Sequence, residues 1–193
     1  MSIQQRRERE RAQRHELIVR TARELAESEG WEAVTTRRLS ERIDYSQPVL
    51  YSHFTGKDAI IGAVAVQGFA ELADALAAAR AGAGTTNEAV VAVIRTYLAF
   101  ADANPALYDA MFVLAIDLPF AQAATPAPLQ AAFGQLHDVL APLAGDRDSG
   151  VFAEVWWSTM HGLVTLARGG RIPAGAQEQR VAILVDQLTG APQ

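Results

Sequence analysis

The sequence predicts an all-α fold, in which a head of three helices is followed by a larger helical domain. Apolar residues recur at three- and four-residue spacing along most of the chain, as they do on one face of a helix. Glycine pairs and proline-rich stretches separate these runs, and no run alternates polar and apolar residues as a strand does. The 193 residues suit either one large domain or a small domain with a larger one, and we place a boundary between residues 57 and 58.

Composition limits the classes of protein that fit. Half of the residues are hydrophobic, which is enough to bury a core, and there is no cysteine for a disulfide, a zinc knuckle or a thiol nucleophile. The N-terminal stretch is highly charged and lacks the apolar core of a signal peptide. Longer apolar stretches are interrupted by Arg, Asp or Gly short of a membrane span. We therefore expect a cytoplasmic protein with no membrane partner.

Charge is distributed unevenly along the chain. Residues 1–57 carry 11 Arg and Lys against 9 Asp and Glu, whereas residues 58–193 carry 6 against 13. Six of the arginines fall between residues 6 and 20, interleaved with glutamates. A basic head on an acidic body suggests that only the head meets a polyanion, and a solvated helix is the alternative.

In the predicted head, a first helix carries the apolar stripe of Leu17, Ile18 and Leu25 and ends at Gly30. Thr35 and Thr36 can cap a short second helix. A tight break at Asp44 follows, and Ser46 can cap a third short helix with Pro48 in its first turn. A long helix is then predicted from Lys57 to about Arg80.

In the predicted body, Thr85 and Glu88 have the spacing of a capping box before a helix that reaches Ala103. Pro105 opens another helix to about Leu114, and residues 116–128, with three prolines, form a loop. Helices are expected over residues 129–141, 151–168 and about 175–188. The turn GDRDSG and the glycine pair 169–170 separate them.

Helices over residues 36–43 and 46–52, joined by a turn of two or three residues, are typical of a helix-turn-helix motif. In that motif the second helix enters the major groove of duplex DNA, and its first residues reach base edges. A helical hairpin with a polar outer face is the structural alternative.

The polar side chains on the second of these helices have the chemistry that DNA recognition needs. Gln47 can pair with adenine through two hydrogen bonds, and Pro48 can pack on a thymine methyl. Ser46 and Tyr51 can bond phosphates. The ammonium of Lys57, the only lysine, can clamp a phosphate together with the free N–H groups at the start of its helix.

The segment VTTRRLSERIDYSQPVLYSHFTGKDAII resembles the DNA-binding region of TetR-family transcriptional regulators, and the resemblance covers residues 15–65. It implies a DNA operator as partner. Seven residues occupy the positions of the family's DNA contacts: Thr36, Arg37, Gln47, Pro48, Tyr51, His53 and Lys57. Asp44 stands where the family's turn usually has glycine, and Asp tolerates the left-handed conformation, so we expect the turn to be kept. Residues 6–14 form either an arm along the duplex or a longer first helix.

The stretch WSTMHG, residues 157–162, is similar to the Trp-x-x-x-His-Gly signature of one class of TetR C-terminal domain. The resemblance implies a helical domain that dimerises through its last two long helices and usually binds a small effector. It also implies a repressor that the effector releases from its operator. His161 is either a pocket residue or a buried histidine with a backbone partner.

For dimerisation, one face of the helix over residues 151–168 has small side chains that a partner helix can approach: Val151, Val155, Ser158, Gly162 and Thr165. Trp156, Met160 and Leu163 fall on another face and are expected in the core. The last helix offers four further apolar residues: Val181, Leu184, Val185 and Leu188.

We predict an apolar effector pocket bounded by the helices at 88–103, 105–114, 129–141 and 151–168. Its candidate residues are large apolar side chains with a few polar groups: Tyr97, Phe100, Tyr108, Met111, Phe112, Phe133, His137, Trp156, Met160 and His161. Such a lining suits a mainly hydrophobic, neutral or cationic small molecule, and the loop at 116–128 could be its lid. The alternatives are a filled core and an architectural DNA-binding dimer with no pocket.

No catalytic, metal or cofactor signature stands out. We find no paired carboxylates in a plausible frame, no Gly-x-Ser-x-Gly motif and no phosphate loop. The four histidines lack the spacing of metal ligands. We therefore expect a protein that is not an enzyme and needs no cofactor.

Overall fold

The computed structural model describes residues 2–190, so residue 1 and residues 191–193 of the two predicted domains lie outside it. Within that range there are helices and no strands, which confirms the predicted fold class. The α-helices are α1 (Ile3–Glu29), α2 (Thr36–Ile43), α3 (Gln47–Tyr51), α4 (Lys57–Ala81), α5 (Thr86–Ala103), α6 (Pro105–Phe112), α7 (Ala127–Leu140), α8 (Ser149–Arg168) and α9 (Gln177–Thr189).

Helix α1 includes the arginine-rich segment. It begins with a capping box, in which the Ser2 hydroxyl accepts from the Gln5 N–H and the Gln5 side chain accepts from the Ser2 N–H. Residues 6–14 are therefore part of a longer first helix, one of the two predicted arrangements. The helix stops at Gly30, whose φ of 82° lies in a region that favours glycine.

The turn between α2 and α3 has the predicted conformation. The Thr35 hydroxyl caps α2 by accepting from the Arg38 N–H at 3.2 Å. Asp44 ends α2 in the left-handed region, with φ 56° and ψ 43°, and its N–H donates to the Ser40 carbonyl. Asp44 therefore adopts the left-handed conformation that the sequence predicted for this turn.

The predicted cap of α3 was wrong in one respect. Ser46 occupies the N-cap position, but its side chain makes no capping hydrogen bond. The usual donors to such a cap are the N–H groups two and three positions on. Pro48 has no N–H, and the Val49 N–H donates to the Ser46 carbonyl instead. The Ser46 hydroxyl therefore has no role in holding the helix.

The described chain divides into two compact units. The first extends to Gly68 and includes Asn104–Pro126, and the second comprises Phe69–Ala103 and the residues from Ala127 onward. The first unit therefore contains α1, α2, α3, the start of α4, and α6. The functional boundary that the sequence predicts at residue 57 differs from this packing division and stays a prediction.

In the first unit, α1 packs against α2 and α6 around a buried core. The core side chains include Ile18, Ala22, Leu25, Leu39, Leu50, Phe54, Ile60, Leu107 and Tyr108. The Glu27 carboxylate accepts from the N–H groups of Ala106 and Leu107 at 3.0 and 2.9 Å, so a side chain of α1 binds the exposed donors at the start of α6. The Trp31 indole donates to the Ala106 carbonyl at 2.8 Å. These bonds fix α6 to the end of α1.

In the second unit, α5 packs against α7, α8 and α9. The capping box predicted for α5 is confirmed, because the Glu88 N–H donates to the Thr85 hydroxyl at 3.2 Å and the Thr85 N–H donates to the Glu88 carboxylate at 3.1 Å. Three residues proposed for the dimer surface of α9 are instead core: Val181, Leu184 and Leu188 are buried within the chain. Their side chains face α5, whereas Ile183 is 49% exposed.

Helix α4 has the length and composition of a membrane span, with a mean hydropathy of 1.5 over its most apolar window. The prediction that every apolar stretch falls short of a span was wrong for this helix by those two criteria. Half of the window is buried against the rest of the protein. The close approach of the Leu107 and Met111 side chains at Gly68 is part of that packing. The helix therefore has the features of a core helix as well.

The left-handed turn makes a prediction about stability. Replacing Asp44 by Ala should lower the free energy of unfolding by about 1 kcal/mol, because a Cβ without a local polar partner is disfavoured there. Replacing Asp44 by Gly should leave stability equal or slightly higher. Urea titrations of the two variants beside the wild type check this. Equal midpoints for the Ala and Gly variants would contradict the role of the turn.

Candidate nucleic-acid interface

The structure brings the predicted DNA-contacting residues together in the first unit, on α2, α3 and the start of α4. Five of the eight side chains are exposed: Arg37, Ser46, Gln47, Pro48 and Tyr51. Thr36, His53 and Lys57 are half-buried. Helix α3 is only five residues long and turns Val49 and Leu50 inward, with Leu50 fully buried. One side of α3 therefore holds the helix in place while the other side presents polar groups.

The exposed side of α3 is continuous with the start of α2. The hydroxyls of Tyr51 and Thr36 are 3.5 Å apart, at the limit of a hydrogen bond. Tyr51 is 54% exposed, so its ring stands on the surface without a packing role. Both hydroxyls remain able to donate to a phosphate oxygen.

Arg37 is held by an ion pair that a phosphate could replace. Its Nε donates to the Glu41 carboxylate at 2.9 Å, one turn further along α2. This hydrogen bond, and then the negative charge of Glu41, raise the pKa of Arg37. Both side chains are exposed, and such surface pairs contribute little to stability. The guanidinium is therefore available to an anionic ligand at small cost.

Lys57 has a structural bond that the sequence did not indicate. Its ammonium donates to the carbonyl of Trp31 at 2.6 Å. An ammonium has three donors, so two remain for another acceptor. The bond fixes the ammonium at the start of α4, and it means that a change at Lys57 acts on the packing of the first unit as well as on any ligand.

A group of positive charges near the end of α3 was also missed. The Arg11 guanidinium lies 3.4 Å from the Ser52 carbonyl, and His15 stacks on Phe54 with ring centroids 4.5 Å apart. Burial first, and then the positive charges of Arg11, His15 and Arg14, lower the pKa of His53. The recurrence of residues 11, 14 and 15 before Ile18 was the available signal, because it places them on the inner side of α1.

The candidate effector residues are divided between the two units. Tyr108, Met111 and Phe112 belong to the first unit, and Tyr108 and Met111 are buried there. The other seven belong to the second unit: Tyr97, Phe100, Phe133, His137, Trp156, Met160 and His161. The Trp157 indole donates to the buried Tyr97 hydroxyl at 3.2 Å. Burial lowers the pKa of His161, which favours its neutral form.

A small cavity of about 10 Å³ lies in the second unit. Its lining is entirely apolar: Val90, Val93, Ile94, Leu136, Val139, Leu140, Trp156, Met160 and Leu188. Two of the candidate effector residues, Trp156 and Met160, are part of it. A void of this size holds at most one water, and it offers that water no polar partner.

Helix α8 exposes the face that the sequence proposed for dimerisation. Val151 and Val155 are each 57% exposed, and Ser158 and Thr165 are exposed on the same side. Met160 is buried on the opposite side, as expected for a core position. Leu166, 42% exposed, extends the apolar part of this face.

Two short helices joined by a left-handed turn, with a polar outer face on the second, define a helix-turn-helix protein of the DNA-binding class. Two family models match the chain: "Bacterial regulatory proteins, tetR family" over residues 18–64 and "Tetracyclin repressor-like, C-terminal domain" over residues 90–188. The chain belongs to the TetR family of DNA-binding transcriptional regulators. The second model does not test the finer Trp-x-x-x-His-Gly resemblance.

Two characterised or named relatives match only part of the chain, and the higher identity is over the shorter segment. The chain is 50% identical over 50 residues to the tetracycline repressor protein class C of Escherichia coli, covering 26% of this chain and 23% of that protein. It is 34% identical over 97 residues to the uncharacterized HTH-type transcriptional regulator YobS of Bacillus subtilis (strain 168), or 49% of each chain. The matches thus span half or less of these relatives.

Solved structures match the fold over nearly the whole chain. A protein of unknown function from Rhodococcus sp. RHA1 is 24% identical with a TM-score of 0.77, covering 93% of this chain and 95% of that one. The fatty acid degradation regulator FadR from Bacillus halodurans is 12% identical with a TM-score of 0.69, covering 93% and 96%. Identities this low support the fold alone.

Proposed function

We propose that this chain is a homodimeric repressor that binds an operator in duplex DNA and is released by a small-molecule effector. The observation that carries the proposal is the exposed polar side of α3, with Ser46, Gln47 and Tyr51, in the same unit as the Lys57 ammonium that is fixed at the start of α4. The side chains of a buried helix would not be arranged in this way, and a merely solvated surface does not need a lysine fixed by a backbone carbonyl.

In this proposal Gln47 reads a base and the surrounding groups bind phosphates. Gln47 stands at the first position of α3, where a side chain reaches furthest into the major groove. Its amide offers a donor and an acceptor, the pattern that pairs with adenine. The phosphate backbone of the DNA is contacted by four side chains, which fix the register of α3 on the duplex: Thr36, Arg37, Tyr51 and Lys57. His53, which is half-buried, is the remaining residue at a position of the family's DNA contacts.

Dimerisation through α8 brings a second copy of α3 to the DNA. A two-fold interface must be self-complementary, and the exposed face with Val151, Val155, Ser158 and Thr165 offers small side chains that allow close approach of two helices. From α9 the exposed Ile183 is the apolar contribution. Two α3 helices must then lie about one duplex turn apart, roughly 34 Å, or a multiple of that distance.

We place the effector site in the second unit, on α5, α7 and α8. The cavity of about 10 Å³ beside Trp156 and Met160 is far smaller than the roughly 300 Å³ that a ligand site needs, so binding requires these side chains to move. The apolar lining and the net acidity of residues 58–193 favour a mainly hydrophobic ligand that is neutral or cationic. A ligand acts only through different affinities for two states.

The helices that connect the second unit to the first could transmit a ligand-induced movement to the DNA-binding helices. Helix α5, in the second unit, is followed directly by α6, in the first unit, and α6 is tied to α1 by Glu27 and Trp31. Helix α4 likewise begins at Lys57 and ends in the second unit. A ligand that moves α5 or α4 would therefore move elements that position α3.

A second candidate function is a constitutive, architectural DNA-binding dimer. The small dry cavity favours it, because a filled core needs no ligand. The two candidates differ in the response to ligand, and they share the DNA-binding surface.

The DNA surface gives the first functional prediction. Lys57→Ala should weaken binding to every duplex and lower the slope of log affinity against log salt by about one. Lys57→Gln, which can still donate to the Trp31 carbonyl, should lower the slope equally while preserving more stability. Lys57→Arg should keep the slope. If Lys57→Ala changed sequence preference and left the slope intact, the phosphate role would be wrong.

Gln47 should behave in the opposite way. Gln47→Ala should relax the preference at one base pair in each half-site, at a cost of about 1–3 kcal/mol there, with the salt slope unchanged. Competition binding with single-base operator variants measures this. A uniform loss over all sequences would show that Gln47 contacts only the backbone.

The dimer surface gives the next prediction. Val155→Glu should weaken dimerisation by about 100-fold or more, because it buries two like charges in a two-fold contact. Operator affinity should fall with it. Val155 is exposed in the chain, so the change tests the contact without opening the core, unlike deletion of residues 175–193, which removes three core side chains.

Asn87→Glu is the matched control, since it adds the same charge at an exposed position in the first turn of α5. Sedimentation of both variants decides the question. An unaltered dimer for Val155→Glu would rule out α8 as the interface.

The effector proposal is tested by a thermal-shift screen of apolar neutral and cationic compounds. A compound that raises the melting temperature should lower operator affinity. Trp156→Ala, which changes the cavity wall, should alter that response and leave ligand-free DNA affinity nearly intact. Stabilising compounds that leave DNA binding unaffected would favour the architectural alternative.

A further inference from the structure

The inner side of α1 changes character along its length. Toward its C-terminal end this side is apolar, with Ile18, Ala22 and Leu25 fully buried in the first unit. Toward its N-terminal end the same three- and four-residue spacing continues through Arg14, Arg11 and Arg7. The basic part, residues 3–17, precedes the segment that the tetR family model matches. It therefore lies outside the segment that the family model matches.

This basic side of α1 faces the end of α3. The Arg11 guanidinium reaches the carbonyl of Ser52, the residue that ends α3, at 3.4 Å. One turn later His15 stacks on Phe54. Since Arg7 lies one turn before Arg11 on the same side, it extends the row beyond α3. The helix starts at Ile3, about 12 Å further along its axis than Arg11.

Two of the arginines on this side, Arg7 and Arg11, are not neutralised among the described residues. Glu10 pairs with Arg6 at 2.9 Å and approaches Arg14 at 3.9 Å. Among residues 2–190 no carboxylate forms an ion pair with Arg7 or Arg11. Both side chains are exposed. The row therefore presents free positive charge to the solvent.

The position of these charges is unfavourable for the isolated protein. A helix N-terminus carries a partial positive charge, which acidic residues normally offset. The first turn of α1 has no acidic residue, and arginines follow at positions 6, 7 and 9. The pKa of His53 is lowered by burial and then by Arg11, His15 and Arg14, which shows that the positive potential extends to the end of α3. A bound anion would relieve this repulsion.

We propose that the N-terminal part of α1 is a second DNA-binding surface, in which Arg7 and Arg11 bind backbone phosphates next to the segment that α3 reads. Phosphates follow one another about every 3.4 Å of duplex axis along a strand, so Arg7 and Arg11, which are four residues or about 6 Å apart along α1, span roughly two base pairs. Duplex DNA is the occupant that fits best, because the row is continuous with α3. An anionic membrane fits poorly, since Ile3 is the one apolar residue among residues 2–11.

This inference rests on the proposed DNA-binding function and adds a specific surface to it. It predicts that residues outside the helix-turn-helix increase affinity without adding base preference, because phosphate contacts carry no sequence information directly. It also predicts a longer protected segment on DNA than α3 alone would give.

The test compares two charge-matched double variants of the full-length protein. Arg7→Gln with Arg11→Gln removes two charges from the inner side of α1. Arg9→Gln with Arg20→Gln removes two charges from the opposite side, where the helical spacing places residues 9 and 20 together. Glutamine forms helices well, so neither change should disturb α1.

Binding is measured against salt concentration, on a duplex selected from a random pool and on an unrelated duplex of the same length. The inner-side variant should lose about two units of log–log slope on both duplexes and about 10-fold or more in affinity at moderate salt. Its hydroxyl-radical footprint should shorten by about two base pairs per half-site. The outer-side variant should keep a slope near that of the wild type.

The single variant Arg7→Gln controls for the loss of the bond between Arg11 and Ser52, because Arg7 has no bond to α3 in the described chain. It should lower the slope by about one with an unchanged melting temperature. Equal slopes for the wild type and the inner-side variant, with an operator still bound, would overturn this inference alone. Failure of the wild type to bind either duplex would overturn the proposed function and this surface together. Phosphatidylserine vesicles that bind the wild type, but not the inner-side variant, with unchanged DNA slopes would also overturn it.

Discussion

The segment at the end of α1 holds the first unit together, because two other helices of that unit, α4 and α6, bond to it. The Glu27 carboxylate binds the free N–H groups at the start of α6, and the Trp31 indole bonds the Ala106 carbonyl of the same turn. The carbonyl of Trp31 in turn accepts from Lys57, the first residue of α4. Each such bond contributes roughly 0.5–1.5 kcal/mol net, and bonds to a charged group contribute more.

This arrangement has a consequence for how the protein could be regulated. The two helices that continue from or into the rest of the chain, α4 and α6, are both bonded to the short segment from Glu27 to Trp31. Helix α1 also contacts α2 and reaches the end of α3 through Arg11. A movement transmitted along either helix would therefore act on α1 and, through it, on α2 and the end of α3. Glu27 is an exposed carboxylate, and the sequence did not indicate that it binds the N–H groups at the start of α6.

The sequence predicted local structure well, because the signals for it are local. The capping box of Thr85 and Glu88, the left-handed Asp44 and the ends of α4 and α5 each depend on neighbouring residues. The helix-turn-helix followed from the spacing of two short helices. The exposed face of α8 followed from the 3.6-residue period.

What the sequence could not show depends on contacts between distant residues. Nothing near Glu27 indicates that it binds a helix almost eighty residues away, and nothing near Lys57 indicates the Trp31 carbonyl. Helical spacing alone placed Val181, Leu184 and Leu188 on a dimer surface, whereas packing against α5 buries them. Aromatic residues were assigned to one pocket because composition does not separate a lining from a filled core.

In the proposed function, sequence-specific recognition depends on two α3 helices that a dimer holds at a fixed separation. Selection of bound duplexes from a random pool by the full-length protein tests that claim most directly. The account predicts enrichment of an inverted repeat, with half-sites about one duplex turn apart or a multiple of it. Retention of duplex DNA without any enriched sequence would contradict it, since binding would then rest on phosphate contacts alone.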